Sequence, residues 1–184
     1  MNHHDHVALL RGGFPETSGA TDAAVAARPV WADIGSGGGA FTLALAELLG
    51  DGVIHSVDRD HAALIAQERT FRARFPATLL RVHQADFTQS LDLPTLDGIV
   101  MANALHFVRD KLPVVRRLRA LLRPGGRMIL VEYDADRGNR WVPYPLSYPT
   151  WAALAHVAGF GDTRFLTAVP SRFLGAIYAA VSEY

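Results

Sequence analysis

Residues 30–46 read Val-Trp-Ala-Asp-Ile-Gly-Ser-Gly-Gly-Gly-Ala-Phe-Thr-Leu-Ala-Leu-Ala: an apolar run, a turn with four glycines, and the opening of a helical pattern. A second short apolar run, Val53 to Val57, then ends on Asp58. Strand, glycine turn, helix, strand, acid is the arrangement by which an α/β sheet holds an adenosine-containing cofactor across its strand ends. Glycines let main-chain atoms approach such a ligand closely, and the acid accepts hydrogen bonds from ribose hydroxyls.

The pattern around this turn alternates strands with helices. Strands are expected at about 29–34, 53–57, 78–83, 98–102 and 127–132. Helices are expected at about 38–49, from Asp60 to Pro76, at 110–122 and at 149–158, with a short one around Val7 to Arg11. Asp60 is placed to cap the second of these helices, and Leu64, Phe71 and Phe75 mark its buried face. The stretch 88–96 is polar and contains Pro94, so a full crossover helix is not expected there. Arg116, Arg117, Arg119 and Arg123 read as a solvated helix face. Residues 134–149 form a loop rich in aromatics and prolines. Two last extended runs, about 162–168 and 173–181, flank Pro170-Ser171 and suggest an antiparallel hairpin. The fold class is α/β: a three-layer αβα sandwich around a mostly parallel sheet.

At 184 residues the chain fits one domain, able to bury a core without disulfides or metals. There is no cysteine, which removes thiolate nucleophiles and thiolate metal sites. Eighteen basic and eighteen acidic residues balance, against the broad positive face of a nucleic-acid partner. No apolar run approaches the ~18–20 residues that span a bilayer, and Met1 to His6 lack the regions of a signal peptide. The expectation is a cytoplasmic protein with no membrane or nucleic-acid partner. His3, His4 and His6 read as a mobile terminus and not as a functional metal site.

The glycine turn alone leaves the cofactor open. Gly35-x-Gly37-x-x-Ala40 satisfies the dinucleotide pattern, and the same residues fit Gly-x-Gly-x-Gly through Gly39. Three features separate the readings. Asp33 sits two residues before the first glycine, where a carboxylate repels a pyrophosphate and attracts a cofactor carrying an ammonium and a sulfonium. Asp86 and Phe87 follow the third strand, an acid and an aromatic suited to an exocyclic amine and a purine face. The two terminal strands replace the second βαβ half of a dehydrogenase.

With these residues in view, residues 30 to about 181 resemble a class I S-adenosylmethionine-dependent methyltransferase. Ala32-Asp33-Ile34-Gly35-Ser36-Gly37-Gly38-Gly39 is similar to the family's first motif. Asp58, Ala85-Asp86-Phe87, Asn103 to His106 and Leu122-Arg123-Pro124-Gly125-Gly126 follow in the family's order. The resemblance implies a Rossmann-like, seven-stranded sheet with an antiparallel C-terminal strand. It implies a single domain over 1–184, with 1–28 as irregular lead-in or lid and 29–184 as core. S-adenosylmethionine is the implied cofactor, held by Asp33, Gly35, Ser36, Gly37 and Gly39 at the turn. Asp58 grips the ribose, Arg59 flanks the adenine, Asp86 accepts from its amine, Phe87 covers its face, and Asn103 and Ala104 line the site.

His106 is the candidate catalytic residue, with Glu132 and Tyr133 also at strand ends. The sequence after the fourth strand is not the Asn/Asp-Pro-Pro-aromatic of members acting on bases or glutamine, and the missing cysteines exclude arsenic methylation. The layout most resembles the family's small-molecule branch, which implies a small-molecule methyl acceptor. Its pocket is expected between residues 1–28 and the aromatic loop, where Trp141, Tyr144, Tyr148 and Trp151 are candidates. The alternatives are an NAD- or nucleotide-binding protein of the same fold class and a non-catalytic S-adenosylmethionine-binding regulatory domain.

Overall fold

The computed structural model describes residues 1–14 and 28–184. Seven strands form one sheet: β1 (Val30–Ile34), β2 (Val53–Asp58), β3 (Leu79–Gln84), β4 (Leu96–Ala102), β5 (Leu122–Tyr133), β6 (Thr163–Pro170) and β7 (Ala176–Glu183). Their order is β3-β2-β1-β4-β5-β7-β6. Neighbours from β3 to β5 pair in parallel, and β7 runs antiparallel to both β5 and β6. The expected terminal hairpin is therefore β6 and β7, with the later strand inserted beside β5.

Among the described residues, five helices pack on the sheet: α1 (His3–Arg11), α2 (Ala40–Leu49), α3 (His61–Arg74), α4 (Leu112–Arg119) and α5 (Tyr148–Ala158). Successive strand residues face opposite layers. Ala32, Ile34, Ile99, Met101 and Leu130 join Val115 and Leu118 of α4 and Trp151 of α5 in one core. Trp31, Ile54, Val100 and Ile129 join Leu10 of α1, Leu45 of α2 and Phe71 of α3 in the other. Chain order reverses at β1, whose neighbours are β2 on one side and β4 on the other. A crevice at the carboxyl ends of those strands is where an open α/β sheet binds its ligand.

Several local expectations shift. Asp60 does cap α3, its carboxylate accepting from the Ala62 and Ala63 N–H groups. α4 ends at Arg119, earlier than its periodicity suggests, and β5 starts at Leu122. Pro124-Gly125-Gly126 is taken up as an irregular opening where the pairing with β4 jumps in register. Arg117 and Arg119 are not a solvated face: Arg117 donates to the Thr88 carbonyl, and the Arg119 guanidinium lies 3.8 Å from the centre of the Tyr184 ring. Residues 85–95 carry no helix, as Pro94 suggested. With no crossover helix over it, β3 leaves Leu79 exposed.

The histidine-rich start is not a loose end. Asn2 and Asp5 form a reciprocal capping box that begins α1 at His3, four residues before the expected start. His3 Nε2 lies 2.7 Å from Glu47, and His6 packs on Phe41 with ring centres 4.7 Å apart. The rest of the expected irregular lead-in, residues 15–27, lies outside the described residues. No helix among the described residues is long and apolar enough to cross a membrane.

Candidate active site

A cleft of about 540 Å³ opens at the carboxyl ends of β1, β2 and β4. Eight residues named from sequence line it: Gly35, Gly37, Asp58, Arg59, Asp86, Phe87, Asn103 and Ala104. Ala85, Thr88, Phe107 and Val108 also contribute. Of these, Phe107 and Val108 carried only the signal that they follow β4.

The glycine turn is shaped by what lies on either side of it. Gly35 has φ +73°, and a Cβ there would stand 2.5 Å from the Ala104 Cβ. Gly37 has φ +51°, yet a Cβ would meet nothing within 4 Å. The space in front of Gly37 is thus free for a ligand to approach main chain. Asp58 holds this turn, its Oδ2 accepting from the Gly37 N–H at 2.7 Å and its Oδ1 from the Asp60 N–H at 2.9 Å. Each carboxylate oxygen keeps a second lone pair for a ligand hydroxyl. Asp86 accepts from both the hydroxyl and the N–H of Thr88, and these bonds hold its carboxyl below the usual range, ionised at neutral pH.

Asp33, Ser36 and Gly39 do not line the cleft. Asp33 is 1% exposed, behind the glycine turn, and accepts from the Thr42 hydroxyl at 2.6 Å. Gln67 Nε2 donates to that same hydroxyl, while its Oε1 accepts from Ser56 at 2.9 Å, and Ser56 reaches Ser36 at 2.7 Å. A Cβ on Gly39 would sit 2.3 Å from the Gln67 side chain. These residues form a buried polar support under the turn. Burial, opposed by the Thr42 bond, pushes the Asp33 carboxyl up to about 7. Asp33 thus stands behind the turn, and the carboxylates lining the cleft are Asp58 and Asp86.

Asn103 closes the cleft at the end of β4. Its φ of +50° is left-handed, a conformation Asn tolerates better than most residues. Its Oδ1 is buried with no partner among the described residues. Asn103 and Phe107 also border a second cavity of about 260 Å³, lined further by His106, Tyr133, Trp141, Val142 and Phe173.

His106 sits on the 3-10 turn Leu105–Phe107 and is 3% exposed. Its Nδ1 lies 3.0 and 3.1 Å from the two oxygens of Glu132, a residue of β5 that is fully buried. The Glu132 carboxylate also accepts from the N–H groups of His106 and Tyr133, at 3.0 and 3.1 Å. With both Glu132 oxygens accepting from backbone N–H groups, the hydrogen of this bond is assigned to Nδ1. Nε2, without a partner among the described residues, is the ring nitrogen left for the second cavity.

The remaining aromatic candidates divide. Trp141 lines the second cavity. Trp151 is fully buried in the α5 core, and Tyr148 packs edge-on against Phe165 and Tyr178. Tyr144 stands 5.9 Å from the Lys111 ammonium. Phe173, on the β6–β7 turn, had no sequence signal linking it to the site.

The family model described as "Methyltransferase domain" matches residues 32–128, just over half of the chain. The chain belongs to the methyltransferases. This S-adenosylmethionine-dependent methyltransferase is 28% identical over 166 residues to the highly reducing polyketide synthase aurA of Calcarisporium arbuscula, covering 76% of the chain and 7% of the synthase. The chain thus spans a small fraction of that curated relative. In fold, the methyltransferase is similar to the CurJ carbon methyltransferase, with a TM-score of 0.70, 19% identity, 86% of this chain and 49% of that one. It is also similar to the YcgJ protein of Bacillus subtilis, with a TM-score of 0.71, 14% identity and 98% of each chain.

The residues present fit the methyl donor. The Gly37 approach, the free lone pairs of Asp58, the ionised Asp86 and the residue Asn103 border one cleft, within the size range of ligand pockets. When bound, S-adenosylmethionine supplies the reactive methyl on a sulfonium, and the protein supplies position, dryness and proton handling.

Proposed function

We propose that this chain acts as a single methyltransferase domain on an activated carbon of a β-carbonyl small molecule. The observation that carries this reading is the His106–Glu132 pair, which engages Nδ1 and leaves Nε2 without a partner among the described residues, beside a cavity sharing Asn103 and Phe107 with the cofactor cleft. The character of the relatives supports it: the matched synthase makes polyketides, and CurJ is a carbon methyltransferase.

A carbon between two carbonyls has an acidic C–H, but it needs a base to become a nucleophile near neutral pH. His106 Nε2 takes that proton, leaving the electron pair on the carbon and its neighbouring carbonyl oxygens. Glu132 holds the Nδ1–H and stabilises the imidazolium that forms, as an orienting carboxylate does in other His-dependent sites. Asp58 and Asp86 stand on the far side of Asn103 and take no role in proton transfer. Asp58, Arg59, Asp86 and Phe87 are assigned to the adenosine end of the donor.

The test supplies donor carrying a 13C methyl group with the N-acetylcysteamine thioester of 3-oxobutanoate, and locates the label by NMR. Label on C2 of the thioester is expected, with His106→Ala lowering the rate by roughly 10²–10⁴-fold, the span of a general base. Label only on the oxygen of phenolic acceptors supplied in parallel overturns the carbon reading.

A further inference from the structure

Three of the most exposed large apolar side chains meet at the second cavity: Phe107 at 62% exposure, Trp141 at 69% and Phe173 at 65%. They arrive from three separate connections: the 3-10 turn after β4, the loop 134–147, and the turn between β6 and β7. An exposed apolar cluster bordering a cavity marks a ligand site or a contact surface. This cluster is continuous with the site, since His106 and Tyr133 line the same cavity. Two cations stand beside aromatic rings at this end, Arg140 at 5.7 Å from Trp141 and Lys111 at 5.9 Å from Tyr144. A positively charged acceptor is disfavoured by them.

One residue joins two of the three connections. Asn139 Oδ1 accepts from the N–H groups of Trp141 and Val142 at 2.8 and 2.9 Å. Its own N–H donates to the Val142 carbonyl at 2.9 Å, closing the turn that carries Trp141. Its Nδ2 donates across to the Phe173 carbonyl at 3.3 Å. Gly138 allows this tight turn, because a Cβ there would fall 2.2 Å from the Pro143 carbonyl oxygen. Asn139 touches no reacting group; it fixes where Trp141 and Phe173 stand relative to one another.

We infer that Trp141 and Phe173 determine acceptor specificity by clamping an uncharged, extended apolar tail, and that Asn139 is the positioning residue that sets this clamp. The cavity is smaller than the 300 Å³ or more usual for a whole drug-sized ligand. It takes the reacting head of such an acceptor, and the exposed rings cover the tail that follows. The inference rests on the carbon-acceptor reading for its choice of probe.

The experiment uses tryptophan fluorescence, because Trp31 and Trp151 are buried and Trp141 is the exposed tryptophan of the three. N-acetylcysteamine thioesters of 3-oxobutanoate and 3-oxodecanoate are titrated against the full chain without donor, and methyl transfer to each is then measured. The longer thioester is expected to bind at least about tenfold more tightly, since it buries several more methylenes, and to shift Trp141 emission to the blue. Trp141→Phe is expected to abolish the spectral shift, and Phe173→Ala to bring the affinity ratio of the two thioesters to within about twofold. Asn139→Ala is expected to collapse the ratio likewise. Asn139→Asp, which keeps both acceptor bonds of the turn but loses the donor to the Phe173 carbonyl, is expected to collapse it as well. Each variant is checked for an unchanged melting temperature.

Equal binding of the two thioesters, no binding of either, or a ratio that survives Phe173→Ala and Asn139→Ala overturns the clamp. Chain-length-dependent binding without any methylation supports the clamp and removes the carbon-acceptor reading. Methylation of both thioesters at equal KM with no change in Trp141 emission removes the clamp and keeps that reading.

Discussion

Asp33 shows how a residue can be found by motif and misplaced by electrostatic reasoning. An acid before a glycine turn reads as a charge offered to the ligand. The strand alternation instead turns it to the face covered by α2, where Thr42 meets it and water does not. The proton that burial favours has a consequence for stability. Its folded pKa, about 7, exceeds the ordinary 3.8, so the folded state binds a proton that the unfolded state has released between those values. The stability this group contributes is fully present below pH 3.8 and is lost as pH rises through about 7. Asp33→Asn removes that dependence while leaving an oxygen for the Thr42 hydroxyl. The variant is expected to gain stability over the natural chain as pH rises from 5 to 8.5, by on the order of 2–4 kcal/mol at most. Denaturant unfolding at the two pH values measures it, and a constant difference contradicts it. Asp58, by contrast, was legible from its place at the end of an apolar run, because β2 has nowhere else to deliver its last side chain. The His106–Glu132 contact was not legible, since it joins residues on different strands with no shared motif.

At the scale of elements, the signals that succeeded were short-range. Asp60 before a helical pattern and a proline in 88–96 each act within a few residues, and each boundary they imply is present. Asp60→Ala is expected to cost about 1 kcal/mol, measured by denaturant unfolding, because two N–H groups at the start of α3 lose their acceptor. The signals that failed were those that depend on a partner. The strand pairing of Leu122 with Leu96 draws the residues after α4 into β5, so helix and strand meet earlier than periodicity alone allows. The capping box of α1 was in the sequence as Asn2 and Asp5. It went unread beside the more conspicuous histidines. Phe173 joins the acceptor end only because β7 inserts beside β5 and brings the hairpin turn to the loop 134–147.

For the whole molecule, the layout separates two tasks across one short segment. The carboxylates, the glycine turn and Phe87 occupy the cleft at β1 and β2. His106, Trp141 and Phe173 occupy the cavity toward β5 and β7, and Asn103 and Phe107 belong to both. The proposed transfer requires the two bound molecules to meet, and the two spaces adjoin at Asn103 and Phe107. Ligand that binds only the folded state stabilises it by about 2.7 kcal/mol at a hundred times its Kd, which raises the melting temperature of a chain this size by several degrees. The most direct measurement is therefore a calorimetric and thermal titration with S-adenosylhomocysteine, NAD and the Asp58→Ala variant side by side. S-adenosylhomocysteine is expected to bind one-to-one and raise the melting temperature, NAD to do neither, and Asp58→Ala to lose the response while remaining folded. Tighter binding of NAD, or an undiminished response in Asp58→Ala, contradicts the assignment of this cleft to the methyl donor.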